Sequence, residues 1–120
     1  MILPLYIFLG GGLGALARWA MTQIITSQTF PWAILCCNLV GSFTIGFCYG
    51  FIPKPTLWQI GFTTGLLGGF TTFSTFSLDT VKLIEQGQYL LAALNGVGSL
   101  LLGVFVAWGG YYLGHTLKGA

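Results

Sequence analysis

Four long apolar stretches, at about residues 3–25, 31–52, 56–81 and 89–113, fill most of this sequence, and only short breaks separate them. An α-helix needs about 20 apolar residues to cross the hydrocarbon core of a bilayer. The sequence therefore predicts a single all-α transmembrane domain of four helices over residues 1–120, with no room for a soluble domain. Charge points the same way, because 5% of the residues are charged where a soluble domain carries about a quarter. That scarcity excludes a disordered chain and a nucleic-acid binder with a basic patch, and three cysteines are too few for a disulfide scaffold.

Met1 to Leu5 holds no basic residue and no hydrophilic stretch follows, so the first apolar run is expected to be a retained span rather than a signal peptide. The expected loops are Thr26 to Phe30, Pro53 to Pro55 and Lys82 to Gln88. None can hold a catalytic domain, so the chain is not expected to be an enzyme and any chemistry lies within the membrane. Tyr6, Trp32, Tyr49, Trp58, Tyr89, Tyr111 and Tyr112 fall near span ends, where an interfacial aromatic belt belongs. Pro31 suits the first turn of the second span, and Pro53-Lys54-Pro55 ends that span. Cys36, Cys37 and Cys48 lack metal-ligand spacing and read as small lipid- or helix-facing residues, and His115 reads as interfacial.

Basic residues give almost no orientation signal. Four spans place Lys54 and Lys118 on one side and Arg18 and Lys82 toward the other, a tie of two against two. Either one weak charge decides the orientation, or the chain inserts both ways and assembles as an antiparallel dimer. Gly61, Gly65 and Gly69 recur at four-residue spacing, as do the pairs Gly10 and Gly14, Gly46 and Gly50, and Gly110 and Gly114. Such small-residue faces let helix backbones approach closely, which matters where lipid supplies no hydrophobic drive. Four short helices hardly enclose a pathway alone, so oligomerisation is expected.

The third span is the unusual one. The string Gly68-Gly69-Phe70-Thr71-Thr72-Phe73-Ser74-Thr75-Phe76 interrupts its middle, where two adjacent glycines and then two β-branched threonines lower helix propensity at membrane depth and predict a broken helix, the other reading being a continuous helix whose hydroxyls bond back to their own carbonyls. Unwound backbone at that depth must be buried in protein or line a polar cavity. The freed carbonyls of Gly68 to Thr71 suit a small cation, and Thr72 or Ser74 would cap the second half-helix. Phe73 and Phe76 share a face beside Ser74 and Thr75, either as packing or as polarised ring edges toward a small anion. Asn38 with Ser42, and Asn95 with Ser99, make polar stripes that serve as interhelical glue or as partners to that track. Arg18 needs a polar partner or a route to the interface, and Asp79 would face a vestibule or Lys82.

Taken together, Gly10-Gly11-Gly12-Leu13-Gly14-Ala15-Leu16-Ala17-Arg18, Asn38-Leu39-Val40-Gly41-Ser42-Phe43 and the Gly68 to Phe76 string resemble the Fluc (also called CrcB) family of fluoride channels over essentially the whole chain. The resemblance implies a dual-topology antiparallel homodimer in the cell's inner (plasma) membrane, with two fluoride pores, a structural sodium ion (Na+) at the dimer interface and passive export of cytoplasmic fluoride. Partners would be fluoride, a second copy and membrane lipid, with no nucleic acid. It further implies that Phe73 and Phe76 line each pore with Asn38, Ser74 and Thr75 beside them. Ser99 would begin a polar track on the fourth span, the Gly68 and Thr71 carbonyls would hold the sodium, and Arg18 would be the arginine ending the glycine-rich motif. Continuing the track at helical spacing reaches Gly103 and Ala107, which carry no hydroxyl.

Two competing classes remain. A proton-coupled small multidrug exporter needs a carboxylate at membrane depth, and the first two spans contain none. A non-transporting membrane subunit packed through its glycines does not account for hydroxyl residues interrupting the third span.

Overall fold

The computed structural model describes residues 2–52 and 54–119. Pro53, part of the expected stop after the second span, lies outside them. The described residues are all-helical, and their backbone extends 47 × 32 × 21 Å, the long axis matching a bilayer of about 40–45 Å with its headgroups. In chain order the elements are α1 (Ile2–Ile24), α2 (Trp32–Phe51), α3 (Leu57–Ile60), a π-helical stretch (Gly61–Leu67), α4 (Gly68–Phe70), α5 (Phe73–Glu85), α6 (Tyr89–Ala93), a second π-helical stretch (Leu94–Gly98) and α7 (Ser99–Gly119). Three helical rods are long and apolar enough to cross a membrane: Ile2–Ile24, Trp32–Phe51 and Tyr89–Gly119. The rod between the last two is interrupted.

Several boundaries differ from the apolar runs. Pro31 stands just outside α2 and supplies its carbonyl to the Leu35 N–H at 3.1 Å, rather than sitting inside the first turn. Thr56 starts α3 by donating its N–H to Gln59 Oε1 at 2.8 Å. Helix α5 runs on through Lys82 to Glu85, because those polar residues are good helix formers and only the apolar pattern ends at Val81. It stops at Gly87, whose φ of +75° lets the Gly87 and Gln88 N–H groups reach back to the Ile84 and Leu83 carbonyls. The last rod likewise continues past Leu113 to Gly119.

Packing follows the glycines. Helix α2 lies chiefly against α7, and α1 against the first π-helical stretch and α4. A methyl group at Gly10 would come within 2.9 Å of the Gly61 carbonyl oxygen, and one at Gly65 within 2.9 Å of that of Ile7. Gly14 and Gly69 close the same seam against Leu66 and Gly11. In the other seam Gly46 and Gly50 meet the Ala107 and Tyr111 carbonyls, while Gly110 and Gly114 meet those of Phe43 and Phe47. Every glycine pair singled out by spacing therefore lies at a backbone-to-backbone approach. Large apolar side chains such as Phe8, Phe105 and Trp108 point outward, the arrangement for a chain whose solvent is lipid.

Candidate pore at the interruption of the third rod

Helix α4 ends at Phe70, and Thr71 and Thr72 are extended, with ψ of 156° and with φ −152°, ψ 129° respectively. Gly68 and Gly69 remain helical, so the interruption falls on the β-branched threonines, not on the glycines. Asn38 of α2 binds both polar groups of Thr72: its Nδ2 donates to the Thr72 carbonyl at 3.1 Å, and its Oδ1 accepts from the Thr72 N–H at 2.8 Å. The Thr72 hydroxyl then caps α5 by accepting from the Thr75 N–H at 3.2 Å.

These bonds divert donors. In an unbroken helix the Thr72 N–H would serve the Gly68 carbonyl and the Thr75 N–H that of Thr71. Here both are bound to side chains, so the Gly68 and Thr71 carbonyls lose their helical partners. The Gly69 carbonyl between them instead accepts from Arg18 Nε at 3.2 Å. That bond gives the half-buried guanidinium its polar partner inside the span.

Beside the interruption lies a cavity of about 570 Å³ between α2, α4, α5 and α7. Asn38, Gly68, Thr71, Phe73, Phe76 and Ser99 all line it. The Phe73 and Phe76 rings tilt at 53° with centroids 5.7 Å apart, and Phe73 is 79% exposed on the single chain. Ser42 contributes a further hydroxyl, whereas Gly103 and Ala107 present only small apolar surface where a longer polar track would run. Ser74, Thr75 and Arg18 are not among the lining residues. The Ser74 hydroxyl lies 3.4 Å from that of Thr72, so it belongs with the cap. Asp79 and Lys82 border a separate cleft of about 140 Å³ against the 27–31 loop.

Sequence reasoning missed Thr80. Its hydroxyl donates to the Phe76 carbonyl at 3.0 Å and accepts from Asn95 Nδ2 at 2.9 Å. The available signal was its spacing, four residues after Phe76 on the same face of α5. What the site can do chemically follows from its parts: a largely apolar space with phenyl rings, hydroxyls and an α5 N-terminus can replace part of the hydration of a small anion. The freed carbonyls beside it favour a cation.

Comparison with known proteins places this chain. The family described as "CrcB-like protein, Camphor Resistance (CrcB)" matches residues 5–111. A protein of Opitutus terrae named fluoride-specific ion channel FluC is 42% identical, with 100% of both chains covered. Proteins of the same name from Pyrococcus abyssi and Bacteroides fragilis are 39% and 37% identical, covering 91% and 95% of this chain and 93% and 97% of their own. With the family match spanning nearly all of its helical rods, this multi-pass membrane protein belongs to the CrcB-like family.

Proposed function

We propose that this chain is a passive, fluoride-selective channel that exports cytoplasmic fluoride across the inner (plasma) membrane, working as an antiparallel dual-topology homodimer with two pores. Its relatives' printed name supports the ion. The observation that carries the reading is the meeting of Phe73, Phe76, Asn38 and Ser99 at one cavity beside the interruption. Phenyl rings are positive at the edge, so a desolvated anion finds partners there without a fixed cation that would hold it. Phe73, exposed on one chain, is a side chain that a second copy would cover.

The driving force needs no coupling. Hydrogen fluoride enters as a neutral weak acid and ionises in a near-neutral cytoplasm, and an inside-negative potential moves the anion out with about 2.3 kcal/mol per charge per 100 mV. In an antiparallel pair the interruptions of two chains would meet near the axis. The Gly68 and Thr71 carbonyls of both would there hold a sodium ion, which supplies the positive charge those oxygens call for. An all-carbonyl shell suits a monovalent ion, since magnesium and calcium usually recruit carboxylates. Fluoride efflux from liposomes containing only the purified protein tests the reading. Efflux at the protein-free rate, or equal passage of chloride, would overturn it.

A further inference from the structure

Among the described residues Asn95 is the buried polar one, 2% exposed, and it lies in the π-helical stretch Leu94–Gly98 just before α7. Its amide works in two directions. Nδ2 donates to the Thr80 hydroxyl at 2.9 Å, and Thr80 passes the chain on to the Phe76 carbonyl at 3.0 Å. Oδ1 faces the Ser99 hydroxyl at 3.4 Å, a weak contact longer than the usual O–H···O bond. One side chain thus joins the backbone of a cavity-lining phenylalanine on α5 to a cavity-lining serine on α7. The glycine seams run elsewhere, between α1 and the Gly61–Leu67 stretch with α4, and between α2 and α7. A π-helical turn is a local widening found frequently at functional sites, and here it carries Asn95.

We propose that Asn95 is a positioning residue of the anion pathway: through Thr80 and Ser99 it ties the α5 turn that carries Phe76 to the α7 turn that carries Ser99 across the cavity. Two physical consequences follow. The separation of ring edge and hydroxyl, which decides how small an anion is held by both, is set by a hydrogen-bonded chain and not by packing alone. The Ser99 proton also rests on a long, weak bond, so it swings to a passing anion at little cost and returns to Asn95 Oδ1 afterwards.

This inference rests on the channel reading, and the experiment separates the two. Wild-type protein in liposomes tests the channel; variants compared with wild type test Asn95. Asn95→Leu keeps the volume and removes both bonds. It should slow fluoride efflux about tenfold, chiefly through loss of the shorter bond to Thr80, while the purified protein keeps its wild-type oligomeric state, and it should lower the fluoride-to-chloride permeability ratio. Thr80→Val should lower that ratio too, and Thr80→Ser should restore it. In a Ser99→Ala background Asn95→Leu should add less than its effect alone, because part of its action passes through that hydroxyl. Unchanged selectivity in Asn95→Leu would overturn the proposal, as would losses from Asn95→Leu and Ser99→Ala that simply multiply. Where Asn95→Leu fails to assemble, Thr80→Val decides: wild-type selectivity overturns the proposal, and a lowered ratio that Thr80→Ser restores upholds it.

Discussion

At the scale of single residues, the two phenylalanines are the sharpest test. Replacing Phe76, or separately Phe73, by isoleucine keeps an apolar side chain but removes the polarised ring edge. Fluoride efflux should fall at least about tenfold in each variant while the oligomeric state stays that of the wild type, as measured by an ion-selective electrode and by size-exclusion chromatography; an interaction of about 1.4 kcal/mol corresponds to that factor. Wild-type rates would assign the rings to packing alone. This pair was legible because a three-residue spacing is a property of one helix. The bonds of Asn38 were not, since its partner Thr72 lies 34 residues away and the hydrogen bonds depend on how two rods pack. The family resemblance implied an amide beside the rings, and Asn38 lines the same cavity as they do, but nothing in the sequence indicates that both its ends bind the backbone of one residue, Thr72.

At the scale of elements, adjacent glycines on α7 have opposite roles. A methyl at Gly110 would strike the Phe43 carbonyl, whereas nothing lies within 4 Å of one at Gly109. Backbone cannot yield as a flexible side chain can, so Gly110→Ala should destabilise the protein by about 1–3 kcal/mol. Gly109→Ala should be neutral or slightly stabilising, because alanine favours helix by about 1 kcal/mol over glycine. Thermal unfolding in detergent distinguishes them, and equal midpoints would remove the close-approach account. The four-residue glycine spacing made these faces legible. Where the third rod gives way was only partly so: propensity implicates Gly68 to Thr72 as a block, and it takes Asn38 from another rod to fix the turn of direction at Thr71 and Thr72.

At the scale of the whole molecule, the charge tie and the carbonyls deprived of their usual helical donors each bear on assembly. With two basic residues toward either side, a C-terminal reporter active on only one face should give intermediate signal, and so should its complement. Strong signal from one reporter alone would exclude the antiparallel pair. If sodium serves the assembly at the Gly68 and Thr71 carbonyls, fluoride efflux should be the same with and without a sodium gradient, and labelled sodium should stay behind. Stoichiometric sodium movement would mean a coupled carrier. Four helical rods, three of them long and apolar enough to cross a membrane, were readable from apolar runs alone, whereas the pairing of rods was not, because glycine faces say that a helix packs closely without saying against which partner.

That pairing has a consequence for synthesis. The tight seams join the first rod to the third and the second to the fourth, so neighbours in sequence are not the ones that zip together. A ribosome that has delivered only the first two spans has put two glycine-lined helices into the membrane, neither of which has met its mate. The first seam can close only when the third rod has entered, and the second only with the last rod, which also brings Asn95 and Ser99 to the cavity. A nascent chain halted between the second and third rods should therefore be prey for membrane quality-control proteases, while one released after the fourth should survive.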